Sequence, residues 1–368
     1  MQAPFLVKKA SPAAYKVGSF REIVLAKAFR MTDRNLRGAR LNITRLSMLI
    51  VLASTSVLPQ TPQPESPAAL YGTIRAWGSA QMTELIALWE HGFHRQHPGV
   101  GFEDKLNGTV SGMGGLYGGG ADLSLMGREI WPTEAMAYEQ MAGHPATGVQ
   151  VALGSFDVPT KADALVIFVH RDNPIASLTF AHLRAIFGCG SKGCNATQTW
   201  GELGVRGVLA DRPIHAYGYK LDNAAAIFFK SVVLKNVEWR CGIKAFANQL
   251  NPDGKRVDSG QLILDALRND PFGIAISNSH YANPDVKAVA LASTRRSPPI
   301  APTKEAVASG SYPLSRAVYI FFNQPPAAPV REFLSYVLSR EGQEDVSREG
   351  AYLPLPEKAR QEQLKMIH

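Results

Sequence analysis

The stretch Tyr71–Ile130, YGTIRAWGSAQMTELIALWEHGFHRQHPGVGFEDKLNGTVSGMGGLYGGGADLSLMGREI, sets the fold. Ile74–Trp77 is a short apolar run, and Gly78-Ser79-Ala80 opens an amphipathic helix after it. Met82, Ile86, Trp89 and Phe93 recur at helical spacing and give that helix one core-facing stripe. Pro98-Gly99 stops it and Val100–Phe102 begins the next strand. Gly108-Thr109-Val110-Ser111-Gly112 then repeats the device, a strand feeding a turn of small residues into a helix. Two such turns set backbone N–H groups and short hydroxyls at helix N-termini, where an anion is favoured.

Upstream, the charge is lopsided. The chain of 368 residues carries a formal +8, and residues 1–46 hold ten Lys and Arg against two acidic residues. The remainder is therefore balanced, which argues against a nucleic-acid partner. Leu46–Leu58, LSMLIVLASTSVL, follows the basic stretch, and a Pro/Gln/Ser-rich run continues to Pro67. That order describes a secretory signal peptide, with the apolar run too short for a comfortable membrane span. An uncleaved anchor and a buried strand are the competing readings. Residues 1–30 form a long preamble to such a leader, and Met31 offers an alternative start. No Cys follows the apolar run to carry a lipid anchor.

Export makes the cysteines legible. Cys189 and Cys194 bracket the turn CGSKGC, a spacing that suits a disulfide across a hairpin in an oxidising compartment, with Cys241 left over. Downstream the pattern alternates. Strands are expected at Asp122–Leu125, Val149–Leu153, Ala164–Val169, Ile214–Tyr217, Phe272–Ile276 and Ala317–Phe322. Helices are expected up to Met141 and at Phe180–Phe187, Ala224–Leu234, Gln261–Leu267 and Val330–Ser339. ALVIFV, an unbroken apolar run, is expected inside a mostly parallel sheet. No internal sequence repeat shows, and the alternation argues for α/β layers.

Nucleophile and metal motifs are missing: there is no GxSxG, HExxH, CxxC or Walker lysine. GMGGLY at 112–117 has Tyr where a dinucleotide fingerprint needs its third Gly. His91, His94 and His97 beside Glu90 could hold a metal but read better as a solvated polar face. The turns Gly78–Gln81, Gly108–Gly112 and Asp222–Ala225 could together ring one anion. One helix N-terminus contributes about 0.3–1 kcal/mol to a nearby negative charge, so several are needed. Taken singly, each is an ordinary N-cap.

These residues carry a resemblance. The Gly78-Ser79 turn, GTVSGMGGL and ADLSLMGREI resemble the PstS-like phosphate-binding protein family of ABC transporters. So do Asn173-Pro174, Leu178-Thr179, Leu183, Ile186-Phe187 and Trp200, and the segments Tyr312–Asn323 and Phe333–Pro356. The resemblance covers residues 71–356. It implies the two-lobed α/β periplasmic-binding-protein fold (type II), with two hinge strands and the ligand cleft between the lobes. Residues 1–67 would be the leader and linker, 71–168 plus 318–368 one lobe and 169–317 the other, with crossovers near Val169 and Ala317. It further implies a monomeric, periplasmic or secreted receptor for phosphate or a related oxyanion. Such a receptor serves an ABC-transporter permease and has no catalytic activity or cofactor. A divergent sensor or interaction protein that binds another small ligand on the same scaffold is the alternative.

Carried over residue by residue, the resemblance places ligand contacts at Gly78, Ser79, Gln81, Thr109, Ser111, Arg128, Tyr219, Asn223, Ala224 and Ala225. The chain departs from the family pattern at several of these. Gln81 stands where Thr is usual, and Gly127 where Ser or Asp precedes the arginine. Tyr219 followed by Asn223-Ala224-Ala225 replaces an arginine followed by Ser-Gly-Thr. Lys220 could supply charge there, but without the guanidinium fork. Each lost charge-assisted hydrogen bond costs about 1.5–3 kcal/mol, so phosphate affinity falls unless other groups compensate. Met1–Leu58 is expected to be absent from protein recovered outside the cytoplasm, and intact amino-terminal peptides in that fraction, seen by mass spectrometry, would rule cleavage out.

Overall fold

The computed structural model describes residues 70–190, 193–194, 198–235 and 237–367. The expected leader and linker over 1–67 lie outside the described residues, as does the tip of the CGSKGC turn. The chain begins with β1 (Gly72–Gly78), α1 (Thr83–Gln96), β2 (Val100–Lys105), α2 (Thr109–Tyr117), β3 (Leu123–Met126), α3 (Pro132–Ala142) and β4 (Thr147–Leu153). It then enters a second sheet through β5 (Val166–His170), β6 (Ser177–Thr179), α4 (Phe180–Phe187), β7 (His215–Tyr219) and α5 (Ala224–Phe229). That part continues with β8 (Lys244–Phe246), β9 (Gln249–Leu250), β10 (Arg256–Val257), α6 (Ser259–Leu267) and β11 (Gly273–Ser277), then β12 (Val286–Ala288), β13 (Ala290–Ala292) and α7 (Lys304–Ala308). The return is β14 (Ala317–Phe322), followed by α8 (Ala328–Val337), α9 (Arg340–Glu349) and α10 (Glu357–Leu364).

The two five-stranded sheets have the orders β2-β1-β3-β14-β4 and β12-β5-β11-β7-β8. Read from the other edge, the second sheet has the layout of the first. Its strands β8, β7 and β11 are mutually parallel, as are β2, β1 and β3. In each sheet an antiparallel strand follows, β14 or β5, and then an outer strand antiparallel to it. The duplication is topological and left no repeat in the sequence. It also corrects the expectation for ALVIFV. Val166–His170 is buried at every position but antiparallel to both neighbours. An unbroken apolar run reports burial on both faces, not strand direction. The direction is reversed because β5 and β14 enter their sheets from the other lobe.

The crossings are short. The chain leaves the first sheet after Leu153 and enters the second at Val166, so β5 lies beyond the first crossing rather than straddling it at Val169. The return is completed by Arg316, just before Ala317. Each sheet carries its own core. Met82, Ile86, Trp89 and Phe93, the expected stripe, are fully buried in the core that α1 shares with β2, α8 and α9. Phe168, Phe187, Trp200 and Phe229 fill the other core. α5 begins at Ala224 as expected, but its last turn, Lys230–Leu234, widens to π geometry. Cys189 and Cys194 are disulfide-bonded, and the backbone N–H of the exposed, free Cys241 donates to the Cys194 carbonyl at 2.8 Å.

One buried side chain ties the carboxy-terminal helices to the first sheet. Gln343 donates from Nε2 to the carbonyls of Val151 (2.9 Å) and Val337 (3.0 Å) and accepts from the Leu355 N–H (2.7 Å). Gln343→Leu keeps the volume but strands three backbone groups, each costing about 1–3 kcal/mol when buried without a partner. The variant should lose at least ~2 kcal/mol of unfolding free energy in urea titrations with the slope unchanged.

Candidate functional site

A cleft of about 280 Å³ opens between the two sheets, lined from both sides and from both crossings. Its geometry follows from the duplicated topology. The helices after β1, β2, β7 and β8 begin at the carboxyl ends of parallel strands, where ligands collect in open α/β sheets. From the first sheet come Gln81, Thr109, Gly127 and Arg128; from the second come Tyr219 and Asn223-Ala224-Ala225. Seven of the ten expected ligand residues therefore line the cleft, from segments far apart in the chain.

Gly78, Ser79 and Ser111 do not line it, because their groups are spent on building the turns. Gly78 has φ +145, and a Cβ there would stand 2.1 Å from the Leu125 carbonyl oxygen. Its own carbonyl accepts from the Gly108 N–H at 2.9 Å, tying the first turn to the second. Ser79 is buried and its Oγ accepts from the Gln81 N–H at 3.3 Å. The Ser111 hydroxyl donates to the Gly108 carbonyl at 2.8 Å. Asn223 caps α5, its Oδ1 accepting from Ala225 N–H at 2.8 Å.

The fourth helix start, at α6, was missed by the sequence reading. Asp258, Ser259 and Gly260 line the cleft together with Arg256, Asn248 and Tyr281. The signal was present: Asp258-Ser259-Gly260 ahead of the apolar QLILDAL is an N-cap pattern. Asp163 and Arg316 were missed as well. They sit on the irregular crossings, where no periodicity marks them.

The electrostatics are those of matched pairs. Arg128 is clamped by Glu134 through both terminal nitrogens (2.8 and 2.7 Å) and lies over the Trp131 ring. Arg316, 6% exposed, donates to Glu129 with Nη2 at 2.7 Å. Its Nη1 makes no hydrogen bond among the described residues, which leaves it available to the cleft. Burial is the largest single influence on Arg316 and works against its charge, but Glu129, with smaller help from Asp163 and Tyr219, more than offsets it and raises the pKa. Burial pushes the Asp163 carboxyl up, partly opposed by Arg316. The Tyr219 hydroxyl donates to Asn278 Oδ1 and Tyr281 donates to Asp258 Oδ2 at 3.1 Å. Burial first, and then Asp163 for Tyr219 and Asp258 for Tyr281, pushes both phenols well above their ordinary range, so they remain protonated. The three helix-end histidines lie elsewhere: His94 Nδ1 is 3.1 Å from the Val100 carbonyl and His97 packs on Phe93.

The comparisons with known proteins agree with this geometry. The PBP superfamily domain matches residues 63–341. A phosphate-binding protein PstS of Pseudomonas aeruginosa is 30% identical over 323 residues, 86% of this chain and 93% of the relative. The chain thus belongs to the PBP superfamily and, within it, to the PstS-like family of solute-binding proteins. Among solved structures, an ABC-type phosphate transport receptor from Vibrio cholerae matches with TM-score 0.50 at 18% identity, covering 77% of this chain and 100% of that one. PstS from Borrelia burgdorferi matches with TM-score 0.51 at 17% identity, over 77% and 99%. The fold they share is the two-lobed type II form, mixed α/β with one sheet in each lobe.

Two departures from the family pattern, Gln81 and Gly127, meet in space. A Cβ on Gly127 would stand 2.6 Å from Ser79 Oγ and 3.1 Å from Gln81 Oε1. The buried Ser79 hydroxyl is the nearer obstacle to a side chain at 127, and the end of the Gln81 side chain crowds the same space. Gly127→Ser should therefore destabilise the chain by about 1–3 kcal/mol. Adding Gln81→Thr should make the double variant less destabilised than the sum of the singles by at least ~0.5 kcal/mol, read from a double-mutant cycle in denaturant.

Proposed function

We propose that the chain is an extracytoplasmic receptor that binds phosphate or a related oxyanion for ABC-transporter uptake. The two sheets mark two lobes that close over the ligand, and no covalent step is involved. The observation that carries this reading is the convergence of three helix starts, the Gln81 turn and two buried arginines on one cleft. α2, α5 and α6 present their N-termini, and Arg128 and Arg316 keep donors beyond those spent on Glu134 and Glu129. The family's arginine and hydroxyls, which this chain lacks at 219 and 223–225, have substitutes elsewhere in the cleft. Arg316 and Arg256 supply guanidiniums, and Ser259 supplies a hydroxyl.

The relative's name, a phosphate-binding protein, and the match of its length support the same ligand class. Export to the periplasm, a permease partner and a monomeric state follow from the same family reading and from the basic-then-apolar leader. No helix among the described residues is long and apolar enough to cross a membrane. Calorimetric titration with inorganic phosphate tests the proposal directly. Binding should be saturable and should weaken at least tenfold in Arg128→Lys, which keeps the charge but loses the fork, about 1.4 kcal/mol. Absence of binding at millimolar phosphate would overturn it.

A further inference from the structure

Lys161 lies outside the cleft, yet its two ends belong to two of the cleft's walls. Its backbone is part of the first crossing, between Thr160 and Ala162, and those two residues and Asp163 line the cleft. Its side chain reaches across to the first sheet, where Nζ donates to the Gln81 carbonyl at 2.8 Å. The Tyr352 hydroxyl donates to the same carbonyl at 3.3 Å, and the Lys161 ammonium lies 5.0 Å from the centre of the Tyr352 ring. Gln81 sits in a single 3-10 turn, Ala80–Met82, between β1 and α1. Such a turn has poor hydrogen-bond geometry of its own, so contacts from outside decide where it stands. The Gln81 side chain lines the cleft, with Oε1 against the space over Gly127.

Lys161 is itself held from behind. The Glu349 side chain on α9 is fully buried, and its Oε1 accepts from Lys161 at 2.9 Å. Its Oε2 accepts from the N–H groups of Ala351 (2.8 Å) and Tyr352 (3.0 Å). Burial works against the Glu349 carboxylate, but the hydrogen bonds from Lys161 and those two N–H groups outweigh it and lower its pKa, so the pair stays ionised at neutral pH. We propose that Lys161 and Tyr352 are positioning residues for oxyanion binding, acting through the Gln81 turn, with Glu349 holding Lys161 in place. Released from both donors, the turn spreads over several positions and must be ordered when the ligand binds, which lowers affinity. The inference rests on the phosphate-class reading above and adds to it two residues that do not line the cleft.

The test is calorimetry with inorganic phosphate on the purified chain. Lys161→Met alone strands the buried Glu349 carboxylate, so it is combined with Glu349→Gln, which keeps an acceptor oxygen for the two N–H groups. In that double variant, with folding checked by circular dichroism, phosphate should bind at least about fivefold weaker. Lys161→Arg keeps a charged donor and should stay within about twofold of the native chain. Tyr352→Phe leaves the ion pair intact and should weaken phosphate about threefold, which keeps the test open if the double variant does not fold. A merely structural role is separated by repeating both in a Gln81→Ala chain. There each loss should shrink to about 1.5-fold or less, because the side chain being positioned is gone. Unchanged phosphate affinity in the folded variants, or the same losses with and without the Gln81 side chain, would overturn the inference and leave the phosphate reading standing. If the native chain binds no phosphate at millimolar concentration, that reading fails and this inference falls with it.

Discussion

The ion pair between Arg316 and Glu129 is the contact on which the arrangement turns. Arg316 ends the second crossing, and Glu129 follows β3, so the pair fixes the return strand against the first sheet at the wall of the cleft. Breaking a buried pair by removing one partner costs about 3–5 kcal/mol, because the remaining charge has no solvent to receive it. The first crossing is anchored by a similar device. Lys161 Nζ donates to Glu349 at 2.9 Å and to the Gln81 carbonyl at 2.8 Å. Its neighbours Thr160 and Ala162 both have positive φ, at 69 and 53, and both line the cleft. Such backbone costs on the order of 1–3 kcal/mol per residue and persists only where the surroundings enforce it. Lys161 is held between them by those two contacts.

The duplicated sheet order accounts for the shape of the site. β1, α1, β2 and α2 correspond in position to β7, α5, β8 and α6, so the helix starts come in two equivalent pairs facing one space. Once Thr109 at the start of α2 lines the cleft, the topology requires the start of α6 to do so too. Ser259 and Gly260 meet that requirement.

Much of this was legible in the sequence where one physical signal dominates. Periodicity marked the stripe of α1, and small residues ahead of apolar runs marked the starts of α2 and α5. Phe180–Phe187 matched residue for residue because Thr179 caps it and Gly188 follows it. The start of α6 escaped because Ala247–Asp258, with the β9–β10 hairpin inside it, separates it from β8, so no strand-turn-helix unit stood out. Arg316 and Asp163 escaped for a different reason. Their roles depend on partners far away in sequence, and an isolated Arg or Asp in irregular chain has no pattern to betray it. The direction of β5 was misjudged since composition cannot tell which end of a buried strand the chain enters.

The position of the returning strands has a mechanical meaning. β14 is hydrogen-bonded on one flank to β3 and on the other to β4, and β5 likewise to β11 and β12. Neither is an edge strand. A pull transmitted through a crossing therefore arrives in the interior of a sheet and is shared in shear by two ladders at once, instead of peeling one open bond by bond. Each lobe can then swing as a stiff plate, and the bending is confined to the few residues between the plates.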